Sequence, residues 1–141
     1  MTRVEFFFNV EDKLQKLAEL SEKAVAKNVR IMVLAADPEA SQKLSQFLWQ
    51  QPLQFLPNHQ ADDSFAEHSP IVVDWRSDAL VHDEVLINMQ SIQPTIFSRF
   101  RRLIEIVGTD EADKVLARAR YKFYRDRGYE IKSYDVLGKA I

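Results

Sequence analysis

The chain of 141 residues contains no cysteine and only three glycines. Without cysteine there is no disulfide framework, thiolate metal site or cysteine nucleophile. Gly108, Gly128 and Gly138 match neither a G-x-G-x-x-G nor a G-x-x-x-x-G-K phosphate loop. No apolar run approaches the roughly 18 residues of a membrane helix, and the amino terminus lacks the layout of a secretory signal. The cytoplasm is therefore the expected compartment.

The composition is that of an ordinary globular protein, with 46% hydrophobic and 28% charged residues. At this length, one domain spanning residues 1–141 is the simplest organisation. The charge is uneven. From Lys114 onward there are eight Lys and Arg residues against three Asp and Glu, whereas the preceding part has eleven against eighteen. An acidic body with a basic end favours a local site for an acidic partner over a nucleic-acid-coating surface.

Apolar runs of strand length alternate with segments of helical periodicity along the chain. The predicted strands are Val4–Val10, Val29–Ala35, Ile71–Trp75, Val85–Asn88 and an edge strand at Tyr129–Tyr134. The predicted helices are Glu11–Lys27, Asp37–Gln50 and Glu111–Arg127. Arg102–Val107 fits either a strand or the end of a helix that begins near Ile96. This alternation predicts an α/β fold with a mainly parallel sheet covered by helices on both faces.

The last predicted helix has two contrasting faces. At about 100° per residue, its apolar side chains share one face, which is expected to pack on the core: Ala112, Val115, Leu116, Ala119 and Phe123. Its basic side chains and one tyrosine share the opposite face: Lys114, Arg118, Tyr121 and Arg125, with Lys122 at the edge. Thr109 or Asp110 is expected to cap this helix at its start, and Gly128 to follow its end.

The basic face suits a short acidic peptide that ends in an aromatic residue and a free carboxylate. Arginine can hold a carboxylate through two parallel charge-assisted hydrogen bonds. Lysines attract upstream aspartates over a Debye length of about 8–10 Å. Val107, Tyr121 and Tyr129 could form apolar walls around the terminal ring. A solvated, arginine-rich helix without a ligand is the alternative interpretation.

A second candidate surface combines Leu48–Trp49 with Phe55–Pro57. Clustered aromatic residues in an irregular segment are typical of an anchor for a partner protein. The alternative is that Trp49 and Phe55 only close the core at an edge of the sheet.

No enzyme signature is found in the sequence. His59, His68 and His82 lack the spacing of common zinc sites, and we expect them to be exposed loop residues. Asp74 followed by Asp83 could form a magnesium-binding nuclease pair with Glu84, but no nearby lysine completes such a set. We therefore predict no metal and no cofactor.

Several blocks of the sequence, taken in order, resemble a known family. They are Phe6–Phe8, Leu48–Trp49, Phe55–Pro57, Leu86–Asn88, Phe97–Phe100, Ile104–Val107 and Leu116–Tyr124, the last followed by Gly128 and Tyr129. Together they are similar to the chi subunit of bacterial DNA polymerase III, an accessory of the clamp loader. The similarity spans nearly the whole chain.

This resemblance implies a Rossmann-like, three-layer α/β domain without enzymatic activity. It also implies two partners: the acidic C-terminal tail of single-stranded-DNA-binding protein, and in some bacteria the psi subunit, which links chi to the clamp loader. The implied tail site comprises Val107, Lys114, Arg118, Tyr121, Lys122, Gly128 and Tyr129. The implied psi interface comprises Trp49, Phe55, Leu56 and Pro57.

The resemblance favours a monomer or a heterodimer with psi, acting at the replication fork without direct contact to nucleic acid. Two other functions stay open at this stage. One is direct binding of single-stranded nucleic acid through Tyr121, Tyr124, Tyr129 and the arginines, by stacking and phosphate contacts. The other is a metal-dependent nuclease.

Overall fold

The computed structural model describes residues 1–51, 56–76, 81–135 and 140. Within them, the strands are β1 (Arg3–Val10), β2 (Ile31–Leu34), β3 (Asn58–His59), β4 (Ile71–Asp74), β5 (Val85–Asn88), β6 (Arg102–Gly108) and β7 (Ile131–Tyr134). The helices are α1 (Lys13–Ala26), α2 (Pro38–Trp49) and α3 (Glu111–Asp126).

The seven strands form one sheet in the order β3-β4-β2-β5-β6-β1-β7, and every neighbouring pair is parallel. One apolar cluster joins α1 and α2 to one face of the sheet through residues such as Leu17 and Leu48. A second cluster joins α3 to the other face through residues such as Phe6 and Tyr124. The predicted three-layer α/β fold is confirmed.

The strands at the centre of the sheet are buried on both faces. All four residues of β2, β4 and β5 are buried, which explains why their sequences are apolar runs without alternation. The ambiguous segment before Gly108 is a strand, because β6 pairs with β5 on one side and β1 on the other. Only a single 3₁₀ turn, Phe97–Arg99, precedes it.

The ends of α1 and α2 follow local rules that the sequence displays. The Asp12 side chain accepts a hydrogen bond from the Gln15 amide at 3.1 Å, and that of Asp37 accepts one from the Ala40 amide at 2.7 Å. These caps satisfy amides that have no partner within the helix. Asn28 has a φ of 57°, a left-handed conformation that ends α1 as predicted.

The predicted core face of α3 is wrong. Within α3 the buried side chains are Ala117, Arg120 and Tyr124. Val115 and Leu116, expected in the core, are 54% and 43% exposed. Of the five residues predicted for that face, Phe123 is half-buried and the other four are exposed: Ala112, Val115, Leu116 and Ala119. The helix is therefore rotated relative to the orientation that its apolar residues indicate.

A buried carboxylate on β6 explains this rotation. Glu105 points from the sheet toward α3, where it accepts hydrogen bonds from Arg120 Nε at 3.0 Å and the Tyr124 hydroxyl at 2.6 Å. Asn88 Nδ2 donates to it at 3.0 Å, and Arg120 Nη1 donates to the Ser91 carbonyl at 2.8 Å. An unpaired buried charge is very costly. The Arg120 and Tyr124 side chains of α3 therefore face the sheet, and the apolar residues predicted for its core face point away from it.

Burial raises the pKa of Glu105, and the guanidinium of Arg120 with the hydroxyl of Tyr124 opposes that rise. Burial, followed by the charge of Glu105, also raises the pKa of the Tyr124 hydroxyl above its ordinary value. The tyrosine therefore stays protonated as the hydrogen-bond donor.

Replacing Gly128 by alanine is expected to destabilise the fold by about 1–2 kcal/mol, because Gly128 has a φ of +82° after the end of α3. Nothing lies within 4 Å of an added Cβ, so the cost is conformational. Chemical denaturation should show a smaller loss for Gly128→Asn, since asparagine tolerates this conformation. If wild type and Gly128→Ala were equally stable, Gly128 would not be needed for the left-handed conformation after α3.

Candidate functional site

A groove lies where the carboxyl end of β1 meets the exposed side of α3. The register of β1 and β6 shifts between the pairs Phe7–Ile106 and Val10–Gly108, so β1 has one extra residue there. Asn9, within this bulge, has a φ of 59°, which asparagine tolerates better than most residues. Bulges bend a strand and redirect its side chains. Phe8 is half-buried beside α3, whereas Phe6 is fully buried beneath it.

The groove consists of two adjoining clefts, which together we call the α3 groove. The first cleft has a volume of about 230 Å³ and is lined by Phe8, Asn9, Val107, Lys114 and Arg118. The second has a volume of about 410 Å³ and is lined by Phe8, Arg118, Tyr121, Lys122 and Arg125. Phe8 and Arg118 border both clefts.

The cations of the groove are not neutralised by strong internal ion pairs. Arg118 meets Glu111 at 3.4 Å, and Arg125 meets Asp126 at 3.6 Å, with all four side chains largely exposed. Such pairs contribute little to stability and can yield to a ligand. Among the described residues, no carboxylate lies within salt-bridge distance of Lys114 or Lys122.

The apolar walls of the groove are held by the core. The Tyr121 ring contacts Phe6 with a centroid distance of 5.3 Å, and Phe8 stacks on Phe6 at 5.5 Å. Val107 is almost completely buried and forms the floor of the first cleft. These fixed rings place apolar surface directly beside four exposed or half-exposed cationic groups.

The structure brings five of the seven predicted tail-site residues together and leaves two apart. Val107, Lys114, Arg118, Tyr121 and Lys122 line the α3 groove. Gly128 and Tyr129 follow the end of α3, three and four residues after Arg125, and line neither cleft. The Tyr129 ring instead packs edge-on against Phe97 at 5.0 Å.

Sequence reasoning missed Phe8 and Asn9 as lining residues. Phe8 belongs to an aromatic run that a buried strand explains equally well. The usable signal was Asn9, because a residue that favours the left-handed conformation inside an apolar run indicates an interruption of the strand.

The second predicted surface is divided by burial. Leu48 and Leu56 have no exposed surface, so neither side chain can reach a partner from its present position; both close the core. Trp49 is 42% exposed, and Pro57 is half-buried. Phe55 lies outside the described residues.

Trp49 belongs to a group of aromatic side chains at the β3 edge of the sheet. Its ring lies 6.3 Å from that of His59, which lies 6.0 Å from the ring of Phe65. Phe65 is 63% exposed and, with Pro57 and His68, borders a depression of about 420 Å³. We call Trp49, His59 and Phe65 the aromatic edge. No pattern in the sequence singles out Phe65.

The expectation that all three histidines are exposed loop residues is wrong for two of them. Only His68 is exposed; His59 is half-buried within β3. His82 is half-buried, its Nδ1 accepts a hydrogen bond from the Glu84 amide at 3.2 Å, and its ring packs edge-on against Phe100. In the part of the chain that the structure describes, no three His, Asp or Glu side chains are grouped to hold a metal ion.

Asp74, the candidate nuclease carboxylate, is fully buried and occupied by internal partners. Arg76 contacts both of its oxygens at 2.8–2.9 Å, and the amides of Ala61 and Trp75 each donate to it at 2.8 Å. Although burial acts in the opposite direction, hydrogen bonds from the Arg76 side chain and from the amides of Arg76 and Ala61 hold the pKa of Asp74 below its ordinary value. This carboxylate anchors the loop that contains Ala61.

The environment of His82 predicts a loss of stability in mild acid. Burial lowers the pKa of His82, so the folded state favours the neutral ring. Below the unfolded pKa of about 6.5, the unfolded chain binds a proton that the folded chain does not. Stability should fall as the pH drops from about 7 toward 5. In urea unfolding, the free energy of unfolding of wild type should exceed that of His82→Gln near pH 7, and this difference should become smaller as the pH falls. A difference that stays the same at every pH would contradict the prediction.

Comparison with known proteins identifies a family for this chain. Residues 1–132 match the family model described as DNA polymerase III chi subunit, HolC. A relative from Pseudomonas aeruginosa, named DNA polymerase III subunit chi, is 27% identical over 139 residues, covering 95% of this chain and 96% of that protein. Proteins of the same name from Haemophilus influenzae and Escherichia coli are 27% identical over 109 residues and 22% identical over 121 residues. These cover 76% and 84% of this chain, and 76% and 82% of the relatives.

No helix among the described residues has both the length and the apolar character needed to cross a membrane. The family model covers nearly the whole chain, including all three helices and β1 to β6. The chain belongs to the chi subunit family of DNA polymerase III and is thus a replication accessory subunit.

Proposed function

We propose that this chain is a non-catalytic adaptor that binds the acidic C-terminal tail of single-stranded-DNA-binding protein in the α3 groove. The observation that carries the proposal is the pairing of apolar walls with weakly neutralised cations in one continuous depression. A peptide that offers aspartates, an apolar side chain and a terminal carboxylate matches each of these features. Capture of a C-terminal carboxylate is a recurring mode of peptide recognition.

Each part of the groove has a distinct role in this proposal. The Arg118 guanidinium, on the border of both clefts, donates two hydrogen bonds to a carboxylate of the tail. Lys114 and Lys122 attract the negative charges on either side of it. Phe8 and Tyr121 remove the apolar side chains of the tail from water.

The aromatic edge supplies the second attachment, to a clamp-loader partner such as psi. Strands β3 and β1 are five positions apart in the sheet, or about 24 Å at the usual strand spacing. The two surfaces can therefore be occupied together. Tethering the clamp loader to coated single-stranded DNA at the replication fork raises its effective concentration there. The functional unit is then a monomer or a heterodimer with psi.

Capture of single-stranded-DNA-binding protein tests the tail assignment. The immobilised chain should retain intact single-stranded-DNA-binding protein. It should not retain single-stranded-DNA-binding protein from which the last residues of the tail have been removed. The interaction should weaken as salt rises, because it pairs opposite charges. Equal retention of intact and truncated protein would contradict the proposal. Retention of a bare oligonucleotide at physiological salt would instead favour direct nucleic-acid binding.

Phe65→Ser is expected to weaken binding of the clamp-loader partner at least tenfold, because Phe65 is the most exposed ring of the aromatic edge. Isothermal titration with psi as ligand would measure this. The tail peptide serves as the internal control, since its site lies at the other side of the sheet. Unchanged psi affinity in both Phe65→Ser and Trp49→Ala would contradict the assignment of this edge.

A further inference from the structure

A separate pocket lies at the amino ends of three neighbouring strands, beneath the second half of α1. Ile31, Val85 and Arg102 are the first residues of β2, β5 and β6, and they lie side by side in register. Leu20 and Ala24 of α1 cover them, leaving a cavity of about 130 Å³ that we call the α1 pocket. The α3 groove lies at the opposite end of the strands and on the other face of the sheet.

Most of the lining of the α1 pocket is aliphatic. Ile31, Val85 and Ile104 form its floor and are at most 3% exposed, and Leu20 and Val29 form its sides. A cavity of about 150 Å³ can hold one benzene molecule, so this pocket suits an apolar group of about five carbon atoms. A nucleotide or a long acyl chain would exceed it. A short hydrocarbon tail packed on this floor would be removed from water.

The charged part of the lining is entirely cationic. It consists of Lys23, Lys27 and Arg102, and no carboxylate of the described residues belongs to the lining. Lys23 pairs with Glu19 at 3.3 Å, and both of these side chains are exposed. No described carboxylate lies within salt-bridge distance of Lys27. The pocket therefore favours a ligand that carries a negative charge.

Arg102 has a buried hydrogen-bond donor without an acceptor. Its Nη2 donates to Glu5 Oε1 at 2.6 Å, which anchors the guanidinium. Its Nε is buried and has no hydrogen-bond acceptor in the part of the chain that the structure describes. Because buried donors are nearly always paired, a carboxylate oxygen beside Arg102 would supply an acceptor through a charge-assisted hydrogen bond.

The end of α1 does not oppose this charge strongly. Carbonyl groups at the end of a helix carry partial negative charge. The carbonyl of Ala24, a residue that lines the pocket, is already paired with the amides of Lys27 and Val29 at 3.0 and 2.8 Å. The ammonium groups of Lys23 and Lys27 add positive charge at the same end of the helix.

We infer that the α1 pocket binds a short aliphatic carboxylic acid in its ionised form. The aliphatic tail lies against Ile31, Val85 and Ile104, and the carboxylate accepts hydrogen bonds from Arg102 Nε and the Lys27 ammonium. An inorganic anion would leave the aliphatic floor in contact with water, and a neutral hydrocarbon would leave the Arg102 donor unpaired. The inference goes beyond the proposed function, because it assigns a ligand to a different site.

Titration of the isotope-labelled full chain with isocaproate, followed by nuclear magnetic resonance, tests this inference. Isocaproate should shift the amide signals of Ala24, Val85 and Arg102. It should bind about tenfold more tightly than isocaproamide, which lacks the charge, because the hydrogen bonds to a charged group are lost. It should also bind about tenfold more tightly than acetate, which lacks the tail that the floor removes from water.

Two alanines of α1 provide a matched pair of variants. Ala24→Leu should abolish binding, because the larger side chain fills the pocket. Ala26→Leu adds the same side chain at an exposed position outside the pocket and should bind as wild type. Arg118→Ala should also bind isocaproate as wild type, which separates the α1 pocket from the α3 groove.

Lys27→Gln tests the charge without altering the core, since Lys27 is exposed. It should weaken isocaproate binding about threefold, within the range for one exposed ion pair. Circular dichroism of each variant establishes that it is folded. The inference is overturned if wild type shows no shifts at the pocket amides, or if isocaproamide binds as tightly as isocaproate. It is also overturned if Ala24→Leu folds and binds as tightly as Ala26→Leu, or if Lys27→Gln binds as wild type.

Discussion

Replacing Glu105 by alanine is expected to destabilise the protein by about 3–5 kcal/mol, the range for breaking one side of a buried ion pair. Arg120 would remain buried without its counter-charge, because its side chain is 2% exposed and, among the described residues, its other hydrogen-bond partner is the Ser91 carbonyl. The Tyr124 hydroxyl would also lose its acceptor. Urea denaturation followed by circular dichroism would measure the loss as a lower midpoint at unchanged slope.

A triple variant separates the need for pairing from the need for Glu105 itself. Combining Glu105→Met, Arg120→Met and Tyr124→Phe removes the buried charges and the hydroxyl while roughly conserving volume. Because apolar replacements of a complete buried ion pair are often tolerated, this variant should be more stable than Glu105→Ala. If Glu105→Ala matched wild type, the network would not hold α3 in its orientation.

Arg118→Ala is expected to weaken tail-peptide binding by about 1.5–3 kcal/mol, as for loss of hydrogen bonds to a charged group. Arg118 borders both clefts and is 68% exposed, so its removal changes the ligand contact without opening the core. Isothermal titration calorimetry with the acidic tail peptide would measure the change. Arg118→Lys should recover only part of the loss, since lysine cannot form two parallel hydrogen bonds to a carboxylate.

Arg99→Ala provides the matched control for Arg118→Ala. Arg99 is also an exposed arginine, but it lies in the turn before β6, away from the carboxyl end of that strand. Its removal changes the net charge by the same amount and should leave tail affinity nearly unchanged. Equal losses in the two variants would indicate a diffuse charge effect and would contradict a specific site at Arg118.

Most of the strands and helices could be predicted because their causes are local. A run such as Ile31–Leu34 has no polar face, which only a strand buried on both sides satisfies. Asp12 and Asp37 stand directly before helical periodicity and cap it. Strand β3 was not predicted at all, because two residues carry no detectable periodicity; it is defined by its pairing with β4.

The candidate site was predicted in part. Lys114, Arg118, Tyr121 and Lys122 share one side of a helix, and helical geometry alone brings them together. Gly128 was assigned to the site by the family resemblance alone, and Tyr129 also as an expected apolar wall; both follow the end of α3 and line neither cleft. Phe8 comes from a strand more than a hundred residues earlier in the chain, so no local pattern connects it with Arg118.

The sequence by itself determined the α/β class, the caps of α1 and α2 and the basic side of α3, because each follows from the order of neighbouring residues. At the start of α3, Asp110 has the N-cap position but its side chain makes no capping hydrogen bond. The tertiary structure decided which side of α3 faces the sheet. Counting apolar residues pointed to Val115 and Leu116, but the buried carboxylate of Glu105 required the donors of Arg120 and Tyr124. An unpaired charge in the core costs more than the exposure of a few aliphatic side chains. That balance depends on a contact between β6 and α3, which only the folded chain makes.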